Sequence, residues 1–105
     1  MENYFSNLSA TFKALSDETR LRMLALLLRR SELSVADFQD ILGEGQSKVS
    51  RHLAVLLRQG IVENRRDGTR MFYRVAEALS PELLSLFDPL RRLLGGARAA
   101  DLERG

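Results

Sequence analysis

Apolar residues in this chain recur at helical spacing through its first half, switch to alternation past the middle, and return to helical spacing near the end. Over residues 3–15, Phe5, Leu8, Phe12 and Leu15 lie three or four apart, which predicts an amphipathic first helix. Ser16 can cap a second helix, with Asp17 and Glu18 in the first turn, where the helix dipole favours acids. That helix is expected to run to about Arg30, with Leu21, Leu24, Leu27 and Leu28 as its buried stripe. Ser34 can cap a short third helix over 35–42, and Asp37 completes a capping-box pattern. Its apolar face is Val35, Phe38, Ile41 and Leu42, and Gly43 can take the left-handed conformation that stops a helix.

Gly43-Glu44-Gly45 then reads as a tight turn into a fourth helix over 46–59. Turned through about 100° per residue, Val49, Leu53, Leu56 and Leu57 cluster on one side of that helix. Ser47, Arg51, Ala54 and Arg58 fall opposite, and Gly60 ends it. Strands are expected at Ile61–Arg66 and Thr69–Val75, joined by Asp67-Gly68, a strong signal for a type I′ hairpin turn. Met71, Tyr73 and Val75 share one face of the second strand. Ser80-Pro81 opens a fifth helix whose wide apolar face is Leu83, Leu84, Phe87, Leu90 and Leu94. Pro89 must kink it, and Gly95-Gly96 ends it. The expected organisation is one domain over 1–96 and a flexible tail over 97–105.

The fold class is therefore mainly α with a small β-hairpin, in the order α-α-α-α-β-β-α. A tight turn between two short helices, followed by a basic hairpin, is the layout of a winged helix-turn-helix. Charge supports that reading. The chain carries only +2 overall, but residues 46–74 hold seven basic residues against two acidic ones, which is +5 and leaves −3 elsewhere. Basic charge gathered in one segment is the footprint of a nucleic-acid face. A solvated charged surface usually mixes its signs more evenly.

The polar opening of the fourth helix supplies the candidate base readers Gln46, Ser47, Lys48, Ser50, Arg51 and His52. His52 lies toward the core flank, where a packed or phosphate-facing role is as reasonable as base contact. Arg65, Arg66 and Arg70 surround the hairpin tip and can follow a phosphate backbone. They would also protect an edge strand from aggregation. Tyr4, Phe5 and Leu8 at one end, with Leu83, Leu86, Phe87 and Leu90 at the other, are more apolar than a small monomer can cover. They predict a homodimer joined through its terminal helices.

Other classes find little support. The chain has no cysteine and a single histidine, so there is no disulfide, no thiolate and no catalytic pair, and no enzyme or cofactor is expected. No apolar run approaches the roughly 18 residues that a membrane span needs, and a cytoplasmic location is expected.

Three segments resemble the ArsR/SmtB family of bacterial transcriptional repressors. They are Phe12-Lys-Ala-Leu-Ser-Asp-Glu-Thr-Arg-Leu-Arg-Met-Leu, Gln46-Ser-Lys-Val-Ser-Arg-His-Leu and Gly68-Thr-Arg-Met-Phe-Tyr-Arg-Val, and together they span about residues 10–75. The resemblance implies a homodimeric repressor that binds an inverted-repeat operator in double-stranded DNA and leaves it when an effector binds. It also implies what is missing. Metal sensors of the family carry two cysteines in a Glu-Leu-Cys-Val-Cys-Asp phrase, where this chain has Glu32-Leu33-Ser34-Val35-Ala36-Asp37. Others bind zinc through histidines of the last helix, where this chain has none. No metal site is expected, and the effector is expected to be a small molecule. Two alternatives stay open: a winged-helix module turned protein-interaction surface, and the N-terminal DNA-binding part of a longer methyltransferase-type protein.

Overall fold

The computed structural model describes residues 2–77 together with Leu79, Ser85, Leu86, Pro89 and Arg92, with side chains from Phe5 onward. Its elements are α1 (Glu2–Leu15), α2 (Glu18–Arg29), β1 (Leu33–Ser34), α3 (Val35–Leu42), α4 (Gln46–Arg58), β2 (Val62–Asp67) and β3 (Arg70–Val75). Among the described residues there are thus four helices and a three-stranded antiparallel sheet in the order β1-β3-β2. Ser85, Leu86, Pro89 and Arg92 of the expected fifth helix are helical; the rest of that helix, with the seam residues Leu83, Phe87 and Leu90, lies outside the described residues, as do the Tyr4 side chain and the tail over 97–105. No described helix is long and apolar enough to cross a membrane.

The helix boundaries follow from local chemistry, with one correction. The α2 cap is Asp17, whose carboxylate accepts from the Arg20 backbone N–H at 3.1 Å. Ser16 is occupied elsewhere: its hydroxyl donates to the Lys13 carbonyl at 2.8 Å and so closes the end of α1. Helix α3 has the expected capping box. The Asp37 N–H donates to Ser34 Oγ at 3.1 Å, and the Ser34 N–H donates to Asp37 Oδ2 at 2.9 Å. Gly43 then takes φ 68° and ψ 30°, and its N–H reaches the Gln39 carbonyl at 2.9 Å. A side chain with a Cβ is disfavoured there, so the turn into α4 depends on that glycine.

Phe38, Met23, Leu24, Leu53, Leu56, Ile61, Val49 and Val62 are fully buried and form the centre of the core. Helix α2 is its axis, with five consecutive buried residues from Met23 to Leu27 rather than a single stripe. Leu21 and Leu28, expected inside, are only half-buried at its edge. On α4, Val49, Leu53 and Leu56 are buried as expected, but Leu57 is exposed. The largest departure is in α1, where Leu15 packs inward with Ala14 and Thr11. Phe5 and Phe12 point outward, with 62% and 51% of their surfaces accessible.

The hairpin also differs in detail. Asp67 pairs with Arg70, so the turn residues are Gly68 and Thr69 rather than Asp67 and Gly68. Only Gly68 has positive φ, at 64°. A leading glycine with a single positive φ is the pattern of a type II′ turn, not of type I′. Strand β1 was not foreseen. Leu33 and Ser34 pair with Tyr73 and Phe72 of β3, which joins the segment ahead of the helix-turn-helix to the hairpin.

Candidate nucleic-acid interface

Helix α4 turns its buried row, Val49, Leu53 and Leu56, into the core. Gln46, Ser47, Ser50, Arg51, Ala54 and Arg58 are consequently exposed on its outer side. The opening of this helix is polar, small or cationic on the exposed side, which is what entry into a groove of DNA requires. Its N-cap, Gly45, has no side chain with which to satisfy the first N–H groups. Those donors point out of the helix end, where an anionic ligand is favoured. A cavity of about 320 Å³ opens between this end and the hairpin tip, lined by Gln46 of α4, Ala36 and Gln39 of α3, and Thr69, Arg70 and Met71 of the hairpin. The start of α4 and the tip of the wing, distant in sequence, therefore face one groove.

The basic residues divide into two groups. Lys48 donates to Glu44 at 3.0 Å, Arg65 to Glu32 at 2.7 and 2.8 Å, and Arg74 to Glu63 at 2.7 Å, with Glu77 at 3.4 Å. By contrast, Arg51, Arg58, Arg66 and Arg70 have no ion-pair partner among the described residues. Uncompensated positive charge thus sits on the outer face of α4 and at the wing tip.

His52 is held from behind. Its Nδ1 lies 3.0 Å from Nη1 of Arg20 and 3.9 Å from Oδ1 of Asp17. A guanidinium only donates, so Nδ1 must accept, and the ring is the neutral tautomer with its proton on Nε2. Burial lowers the His52 pKa from its ordinary value, with the nearby cations Arg20, Lys48 and Arg51 adding to the effect and Asp17 opposing it. For Asp17, burial pushes upward but is outweighed by the backbone N–H groups of Arg20 and Thr19 and by the charge of Arg20, to which His52 adds only when its ring is protonated, so its carboxyl is held below the usual value. Arg20 also donates through Nε to the Ala14 carbonyl. One side chain of α2 thereby ties the end of α1 to α4. Arg20 and Glu32 had not been singled out from the sequence. Their partners lie 32 and 33 residues away, beyond any local pattern.

The family model for bacterial regulatory proteins of the arsR family matches residues 17–64. HlyU from Vibrio cholerae is 35% identical in a solved structure, superposes with a TM-score of 0.76, and is matched over 97% of its length by 89% of this chain. The chain belongs to the ArsR family.

Among the relatives of this ArsR-family chain, the arsenic resistance transcriptional regulator ArsR2 of Pseudomonas putida is 45% identical over 74 residues, which is 70% of this chain and 61% of that protein. The chain spans about three-fifths of the length of the arsenic-resistance regulators that it matches. The homodimeric winged helix-turn-helix DNA-binding domain Mb0332 from Mycobacterium bovis is 29% identical, with a TM-score of 0.75 over 90% of this chain and 83% of that one. By their names, ArsR2 is a transcriptional regulator and Mb0332 a possible ArsR-family transcriptional regulator.

Proposed function

We propose that this protein is a homodimeric transcriptional repressor that binds an inverted-repeat operator in double-stranded DNA. The observation that carries the reading is the groove shared by the start of α4, through Gln46, and the wing tip, through Arg70, together with the exposed Arg51 and Arg58 of α4 and Arg66 of the wing, which have no ion-pair partner among the described residues. In this reading Gln46, Ser47, Ser50 and Arg51 reach base edges in the major groove. Arg66 and Arg70 take the adjoining backbone, and Lys48 exchanges Glu44 for a phosphate. His52 can donate its Nε2–H to a phosphate from a fixed orientation. The dimer forms through α1 and the segment beyond the sheet, and the outward-facing Phe5 and the exposed Leu86 support this assignment. Location in the cytoplasm, where the operator is, follows from the same reading.

The effector is proposed to be a small molecule rather than a thiophilic metal. The chain has no cysteine, Ser34 caps α3 with its hydroxyl, and Ala36 has no donor atom. No cluster of three metal-binding side chains occurs among the described residues.

Selection from a random pool of duplexes tests the reading. The expected product is an imperfect inverted repeat whose half-sites are about one helical turn, 34–36 Å, apart. Failure to enrich any duplex in a salt-dependent manner would refute it.

A further inference from the structure

The three wing arginines are not equivalent. Arg65 uses Nε and Nη2 on the two carboxylate oxygens of Glu32, at 2.8 and 2.7 Å, and its guanidinium lies 4.7 Å from the centre of the Phe72 ring. Nη1 is 3.9 Å from Asp67. These hydrogen bonds push the Arg65 guanidinium pKa up and hold the Glu32 carboxyl below its ordinary value. Arg66 and Arg70 have no such partners among the described residues. Single exposed ion pairs usually contribute little, but a two-pronged arginine–carboxylate contact stacked on an aromatic ring is the geometry that does count.

The position of this contact matters more than its strength. Strand β1 is two residues long and covers β3 only at Phe72 and Tyr73. Beyond Phe72 the hairpin continues as a bare two-stranded ribbon, from Arg66 and Met71 to the turn. A two-stranded ribbon is marginally stable by itself. Arg65 is paired with Phe72 at the last rung before the ribbon leaves the sheet, and Glu32 immediately precedes β1. We propose that Arg65 is a positioning residue, which pins the root of the wing to the α2–β1 connection through Glu32 and Phe72, and is not one of the phosphate contacts. The clamp orders in advance the ribbon that carries Arg66 and Arg70; without it the same phosphate contacts form, at the added cost of ordering the ribbon. This assignment rests on the DNA-binding reading above only for its functional readout.

The full chain carrying Glu32→Gln or Arg65→Ala tests it, using the duplex that the wild type selects from a random pool. A clamp predicts that both variants bind several-fold more weakly with an unchanged dependence on salt, and that the double variant is no worse than either. It also predicts faster amide hydrogen exchange over residues 66–71 in the absence of DNA. If Arg65 bound phosphate instead, Glu32→Gln would release it and tighten binding. In that case Arg65→Ala in a dimer would flatten the log–log salt slope by about 1.8, at about 0.9 per phosphate. Either of these results overturns the proposal, as does unchanged exchange at the wing. A wild type that selects no duplex refutes the DNA-binding reading, while the exchange measurement still decides the clamp.

Discussion

Removing one uncompensated arginine from the wing should change how binding responds to salt by an amount that can be worked from the charge pairing. Arg58, Arg66 and Arg70 have no carboxylate partner among the described residues and Lys48 is proposed to exchange Glu44 for a phosphate, so a dimer offers two sets of four phosphate contacts. If each neutralises one phosphate, the slope of log affinity against log salt is about −7. Raising salt from about 50 to about 200 mM would then weaken wild-type binding roughly 2 × 10⁴-fold. Arg66→Ala takes away two of the eight contacts. Its slope becomes about −5.4, and the same salt step should cost only about 2 × 10³-fold. Arg74→Ala is the control, because Glu63 and Glu77 already neutralise that side chain and its loss should leave the slope alone. Fluorescence anisotropy with a labelled operator duplex over a salt series gives both slopes directly. Equal slopes for wild type and Arg66→Ala, or equal flattening by Arg66→Ala and Arg74→Ala, would refute the division of the basic residues made here.

Phe5→Glu or Leu86→Glu, each at an exposed apolar position of the proposed seam, should yield a folded monomer by sedimentation that has lost most of its operator affinity; a monomer with wild-type affinity would exclude dimeric recognition. Because burial lowers the His52 pKa, the unfolded chain binds more protons between the depressed folded value and about 6.5. Stability should therefore be full above that window and fall as pH drops through it, since a protonated Nδ1 can no longer accept from Arg20; His52→Gln should flatten this part of a melting-temperature profile. Isothermal titration with zinc or arsenite should show no stoichiometric binding, and tight binding of either ion would overturn the assignment of a non-metal effector.

Much of the fold can be read in the sequence, and the exceptions have physical causes. The boundaries of α3 came out to the residue because Ser34, Asp37 and Gly43 act through neighbours three or four positions away. The α2 cap was displaced by one residue because Ser16 and Asp17 are both good caps, and only the tightness of the α1–α2 turn decides which of them faces α2. Phe5 and Phe12 have the spacing of a buried stripe, but periodicity marks a sticky face without saying whether the chain itself or another surface covers it. Strand β1 is too short to have a period at all. At the interface, the polar opening of α4 was legible from its spacing. That Arg65 is held and Arg66 is not could not be, because one carboxylate 33 residues upstream makes the difference.

Ser34 caps α3 and also forms a rung of the sheet opposite Phe72, so a single residue belongs to both the helical and the stranded parts of the molecule. The root of the wing at Phe72 cannot move away from the start of α3 without breaking that rung. The root of each wing and the helix-turn-helix consequently move together as one jaw of a caliper. Loosening one jaw would be a poor way to release DNA. In the proposed dimer the economical way would be to alter the gap between two jaws, which would make the α1 surface, far from any base, the natural place for a signal to act.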